Sequence, residues 1–390
     1  MGLSAPPPAE APGNPARMPD PSALRRSIPA LDGIRGLAIV WVVLHNALAG
    51  AAAPSSPLLH ALLVVANPGW IGVQLFFALS GFLITGGLLD ARGTRHYFRD
   101  FYARRALRIL PLYYMVLLVL LVLLPWLASL GPPYSNQHQA PLWLFTANWA
   151  ASLPYGFGHF WSLAVEEQFY LIWPLLTYGL PASRMLKACL WIAVGALLLR
   201  CVLAAYDVSA WTLYANTACR MDALALGGAG ACAVRVAALR QRLLPRLQQL
   251  GALAPVVFLV GIPLTHFYAP DGRSGATLGY SLLAFSSAAF VVWAALSDPA
   301  RVRLAGVLTW APLRSCGKYS YAMYVFHNLL HKLLGEPWLA RTFGAQPPSL
   351  VVFGYALALL LVSYLLAVCS YHALELHFLR LKGTFAPRSA

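Results

Sequence analysis

Ten stretches of this chain stay mostly apolar over roughly 17 to 25 residues, the length an α-helix needs to cross a bilayer. They lie near residues 34–53, 69–89, 109–130, 160–180, 186–206, 218–237, 250–267, 276–296, 318–335 and 349–371. Composition agrees: 59% of the 390 residues are hydrophobic and 11% are charged, whereas a soluble globular protein carries about 25% charged residues. The expected fold class is therefore an all-α integral membrane protein with about ten transmembrane helices. Two further apolar stretches, 58–66 and 141–149, are too short to span and are expected at the outer interface, so counts of nine or eleven stay open.

The excess of 28 Lys and Arg over 13 Asp and Glu would suggest a nucleic-acid partner in a soluble chain. Here the basic residues fall in short clusters between the apolar runs, and cytoplasmic loops of membrane proteins collect Lys and Arg. With the N-terminus inside, 23 of the 28 fall on one side, and no Lys or Arg occurs from 109 to 183. Both termini are expected in the cytoplasm, the lipid bilayer is the expected surrounding, and no nucleic acid is expected. Residues 1–27, rich in Pro and Ala, read as a disordered cytoplasmic tail. The transmembrane domain follows over 28–382, then a short cytoplasmic tail over 383–390. The six cysteines show no CxxC pair and no zinc spacing, and read as small hydrophobes.

Polar residues inside apolar runs need a partner or a chemical task. LDGIRGLAIVWVVLHN (31–46) holds Arg35, His45 and Asn46; a neutral imidazole is cheap to keep in a membrane and useful as a general base. RGTRHYFRDFYARRALRIL (92–110) carries six arginines. A topological anchor facing anionic lipid fits them, and so does a phosphate clamp built from Arg104, Arg105 and Arg108. HFWSLAVEEQFYLIWPLL (159–176) places Glu166 and Glu167 inside a span. Adjacent residues point about 100° apart on a helix, so one is expected to line a wet cavity and the other to pair or cap. Ser80-Gly81 reads as close helix packing. Asp222 fits a structural ion pair or a substrate contact equally. His327 and His331 lie one turn apart with no third ligand nearby, so no metal is expected.

In order along the chain, LDGIRG, GVQLFFALSGFLI, FYARRALRILPLYY, HFWSLAVEEQFYLIWPLL, GKYSYAMYVFH and YHALELHFLRLK resemble the acyltransferase 3 family of multi-span membrane acyltransferases, over about residues 30–382. The resemblance implies a stand-alone form, without an extracytoplasmic esterase-like domain, in the cell (inner) membrane. It implies transfer of an acyl group, most often acetyl, from cytoplasmic acyl-CoA to a hydroxyl of a glycan such as a cell-surface polysaccharide or lipopolysaccharide sugar. Acyl-CoA would be a donor substrate, with no tightly bound cofactor. The implied catalytic residues are Arg35, His45, Glu166 and Glu167, and the implied acyl-CoA contacts are Arg104, Arg105 and Arg108. The family spaces its arginine and histidine with ten residues between them, whereas nine separate Arg35 from His45 here. At about 100° per residue, Asn46 falls within about 20° of the Arg35 face and His45 about 80° away. Either a local π-bulge turns His45 into the cavity, or a histidine such as His327 serves instead. The rival classes are a glycan or lipid transporter and a non-catalytic membrane scaffold.

Overall fold

The computed structural model describes residues 28–125, 138–253 and 275–385. The expected tail over 1–27, most of the seventh expected span at 250–267, and residues 386–390 lie outside the described residues. Every regular element among the described residues is helical.

Six helical stretches among these residues are long and apolar enough to cross a bilayer: Pro29–Leu48, Pro57–Asp90, Tyr97–Leu123, Ala182–Ala205, Gly275–Leu296 and Ser349–Phe385. They contain the helices α1 (Pro29–Leu48), α2 (Pro57–Ala66), α3 (Gly72–Asp90), α4 (Tyr97–Leu118), α6 (Ala182–Ala205), α9 (Tyr280–Leu296) and α12 (Ser349–Ser370). Three more of the expected spans are present as helices of more polar composition: α5 (Trp161–Gly179), α7 (Thr217–Arg235) and α10 (Ala311–Leu330). These carry Glu166 and Glu167, Arg220 and Asp222, and His327 respectively. The residues that lower their hydropathy are the ones most in need of explanation. Two shorter helices, α8 (Ala237–Ala252) and α11 (Glu336–Phe343), connect the bundle.

Two boundaries differ from expectation. The stretch near 58–66 is not a separate interfacial piece: α2 continues through a 3-10 turn, Asn67–Ile71, into α3. The third helix starts at Tyr97 rather than 109, so Arg99, Arg104, Arg105 and Arg108 stand on its first turns instead of in a loop. Arg, Ala and Leu are good helix formers, and the RRALRIL segment extends the helix below the apolar run.

Two crossings hold the bundle closely. A Cβ at Gly81 of α3 would collide with the carbonyl of Leu224 on α7, and one at Gly227 of α7 with the carbonyl of Ala78 on α3. The same holds for α1 against α10, where Gly36 meets the Leu313 carbonyl and Gly317 meets that of Asp32. In lipid there is little hydrophobic gain between helices, so backbone approach at small residues supplies much of the contact. Arg200 of α6 and Asp222 of α7, both fully buried, pair at 2.7 Å, which settles Asp222 as a structural ion pair between helices. Arg200 also donates to the Cys219 carbonyl and to Ser281 Oγ.

Outward faces are apolar where lipid is expected. Leu190, Trp191, Leu198 and Val202 of α6 and Leu350, Leu357, Leu361 and Leu365 of α12 are all exposed. Contiguous apolar surface of this kind marks contact with membrane, and with six apolar helices it reads as a multi-pass membrane protein.

Candidate active site

A cavity of about 100 Å³ lies where α1, α3, α4, α5 and α10 converge, lined among others by Arg35, Arg105, Arg108, Glu166, Glu167 and Tyr324. Five of the seven charged residues singled out in the sequence therefore meet in one place. Glu166 is fixed from two sides: Ser80 Oγ donates to its Oε1 at 2.7 Å, and Tyr170 Oη donates to its Oε2 at 3.1 Å. Arg105 sits over the ring of Tyr170 at 5.3 Å. Arg35 Nη1 bonds Asp32 Oδ1 at 2.8 Å. Among the described residues Arg105 and Arg108 form no ion pair, which leaves their fork-shaped donor sets free for an anionic or polarised guest.

One glutamate is expected to line a cavity and the other to pair or cap; both border the cavity, and Glu166 is at the same time held by Ser80 and Tyr170. Their directions differ by about 100°, and the cavity is wide enough to span that angle. Glu166 reaches the α3 side, where Ser80 lies, while Glu167 faces the same chamber as Arg105 and Arg108 of α4.

The cavity opens toward a second space of about 200 Å³, with Arg35, Arg108 and Tyr321 common to both. Its other walls include Asp32, Lys318, Glu375 and Lys382. Lys318 and Lys382 are basic residues that sequence reasoning counted only as topology markers. Arg104 does not reach the cavity; it donates to the Phe385 carbonyl.

His45 is not among the residues lining this cavity. α1 remains α-helical from Pro29 to Leu48, so no π-bulge turns the imidazole round. It packs instead against Gly69 of the turn before α3, with Nδ1 buried and without a hydrogen-bond partner. Asn46 takes the inward position: its Nδ2 donates to Val42 O at 2.9 Å and lies 3.4 Å from His327 Nε2. His327, fully buried and like His45 not among the residues lining the cavity, bonds through Nδ1 to O of Tyr324, which does line it, at 2.7 Å. A carbonyl can only accept, so Nδ1 carries the proton and Nε2 keeps the lone pair that faces Asn46.

His159 repeats this arrangement. Its Nε2 bonds Val325 O at 3.2 Å, its Nδ1 accepts from Asn328 Nδ2 at 3.2 Å, and its ring lies 5.3 Å from that of His327. Tyr324 Oη joins the layer to the cavity, contacting Ser162 Oγ at 2.6 Å and donating to His159 O at 3.0 Å. Sequence reasoning missed Ser80, Ser162, His159, Tyr170 and Tyr324 as site residues. All lie inside the motif blocks, and without the fold none differs from a packing residue. His331 turns elsewhere, to Tyr355 Oη at 2.8 Å.

A sequence profile described as an acyltransferase domain matches residues 28–368. The chain is 30% identical over 380 residues to YrhL of Bacillus subtilis, assigned as a peptidoglycan O-acetyltransferase, covering 90% of this chain and 54% of that protein. It is 26% identical over 325 residues to the peptidoglycan O-acetyltransferase OatA of Listeria monocytogenes, covering 78% and 49%. With the O-acetyltransferase OatA of Staphylococcus aureus it shares 25% over 370 residues, covering 90% and 57%. The chain thus spans about half the length of the curated relatives it matches. No solved structure matches it. With the profile running from 28 to 368, the chain belongs to the acyltransferase 3 family of acyltransferases.

Proposed function

We propose that the chain is an integral-membrane O-acyltransferase that takes an acyl group, most simply acetyl, from cytoplasmic acyl-CoA and places it on a hydroxyl of a cell-envelope glycan. In this reading it lies in the cell (inner) membrane with both termini in the cytoplasm and about ten spans, residues 28–382 forming the catalytic membrane domain. The carrying observation is the cation-lined path: Lys318, Lys382 and Arg108 at the mouth lead to Arg35 and Arg105 beside Glu166 and Glu167. The mouth suits the phosphates of CoA, because guanidinium and ammonium groups pair with phosphate. The relatives' names favour a peptidoglycan-type glycan over a lipopolysaccharide sugar as acceptor.

The thioester carbonyl would lie between Arg35 and Arg105, whose positive charge opposes the oxyanion that develops on attack. The acceptor oxygen forms a bond to the carbonyl carbon while its proton passes to His327 Nε2. The C–S bond then breaks, the imidazolium returns the proton to the departing sulfur, and CoA leaves as the free thiol. Glu166 and Glu167 orient the acceptor. His45 takes no step in this scheme.

The test uses purified protein in lipid nanodiscs with acetyl-CoA and a peptidoglycan-derived oligosaccharide. Release of free CoA thiol together with a gain of one acetyl group on the acceptor by mass spectrometry is the expected result. A protein that moves the glycan across the bilayer without releasing thiol would be a transporter, and the reading would fall.

A further inference from the structure

α10, with the π-helical turn His331–Gly335 that continues it, works as a ruler through the molecule. Lys318 borders the basic mouth, Ser320, Tyr321 and Tyr324 border the central cavity, and Asn328 and Lys332 border a third space at the opposite end. Fourteen residues at about 1.5 Å each separate Lys318 from Lys332, about 21 Å along the axis. The third space, about 300 Å³, is walled by the 150–158 segment and closed by Trp211, Asn328 and Lys332.

This pocket is built rather than incidental. Asn328, 6% exposed, donates to Gly156 O at 2.9 Å and so pins the wall segment to α10. Gly156 has φ +89°, a backbone conformation that favours glycine. Tyr155 Oη donates to Glu336, which also pairs with Lys332 at 3.0 Å, so the rim is tied to α11. Trp211 is backed by Tyr214 and Trp161, with ring centroids 6.1 and 6.3 Å away, yet stays 42% exposed. Lys332 is matched by Glu336, which makes the pocket a poor phosphate site. What it offers is an indole, a carboxamide, paired charges and main-chain polar groups. That set suits a neutral sugar, whose C–H face stacks on an aromatic ring while its hydroxyls take the polar groups.

Among the described residues none borders both this pocket and the central cavity; a layer of side chains separates the two. Asn328 borders the pocket and bonds His159; the His159 ring meets that of His327 edge-on; Tyr324 bonds the His159 carbonyl and borders the cavity. We propose that the pocket is the acceptor subsite: it takes a neutral N-acetylhexosamine unit on the Trp211 indole, with a hydroxyl presented to the His159–His327 layer. This rests on the acyltransferase reading above and adds where, and by what chemistry, the acceptor is held.

The experiment uses triacetylchitotriose as probe on the full chain in nanodiscs, with Trp211→Ala and Trp211→Phe. Calorimetry is expected to show binding to the wild type, about tenfold weaker binding to Trp211→Ala, and partial recovery in Trp211→Phe, as stacking loss would give. The KM for acetyl-CoA, read from thiol release at saturating triacetylchitotriose, should be the same in all three. No binding to the wild type, or equal binding to all three proteins, overturns the acceptor subsite. Saccharide binding at Trp211 with no thiol release from any protein upholds the pocket and overturns the acyltransferase reading instead.

Discussion

Replacing His327 should separate the two histidines that the sequence leaves competing. His327→Asn keeps an amide N–H near the place of the Nδ1–H that donates to Tyr324 O at 2.7 Å, and removes the Nε2 lone pair facing Asn46. A positioned general base contributes about 10²- to 10⁴-fold to rate, which is about 2.7–5.5 kcal/mol of barrier at 1.36 kcal/mol per decade. The expected outcome is a fall of at least a hundredfold in kcat for acyl transfer, with the KM for acetyl-CoA little changed, because the basic mouth is untouched. His45→Ala should behave oppositely. Its Nδ1 is buried and unpartnered, so the substitution also removes a desolvation cost of about 1–3 kcal/mol that offsets the lost packing. Activity within threefold of wild type is expected. The assay is steady-state thiol release and acetyl-acceptor formation in nanodiscs, with thermal unfolding midpoints to show that each variant is folded. A folded His327→Asn protein with more than a tenth of wild-type kcat refutes the assignment. So does a folded, inactive His45→Ala protein.

Arg108→Ala should raise the KM for acetyl-CoA about tenfold or more, the size of a lost charge-assisted contact, and the penalty should shrink as salt screens the mouth; an unchanged KM at low salt would move the phosphate site elsewhere. Asp222→Ala leaves Arg200 buried and uncompensated and is expected to cost about 3–5 kcal/mol of stability. The paired change Arg200→Met with Asp222→Leu should recover most of it, measured as the thermal midpoint in nanodiscs, and failure of the pair to recover would mean that the contact does more than hold α6 to α7. Gly81→Ala drives a methyl group into the Leu224 carbonyl and should cost about 1–3 kcal/mol by overpacking; wild-type stability there would mean that the α3–α7 crossing is looser than the structure has it.

The helical class was legible because long apolar runs have few alternative folds in a membrane. Arg35, Arg105, Arg108, Glu166 and Glu167 were legible for the complementary reason: a charge in such a run has to be explained. Arg104 was not separable from its neighbours, since three arginines within five residues look alike in sequence. The helix start at Tyr97, and with it the facing of each side chain, decides which two reach the cavity. Lys382 was less visible still. It borders the mouth only because the chain end folds back beside α4, where Arg104 meets the Phe385 carbonyl, a contact between residues far apart in sequence.

The histidine question shows where periodicity stops being sufficient. Rotation about one helix assigned Asn46 to the Arg35 face and His45 to another, and α1 keeps that assignment because nothing in it breaks the α-helical ladder. The periodicity of α1 could not supply the residue that Asn46 meets, because His327 lies 281 positions away on α10. The close approach that brings them together depends on glycines on both helices: Gly36 lets α1 reach the Leu313 carbonyl, and Gly317 lets α10 reach that of Asp32. A one-residue offset in α1 is therefore a rotation of about 100° in space. On the proposed mechanism, the crossing of two glycine-bearing helices brings the imidazole from α10 to the place that α1 leaves to an amide.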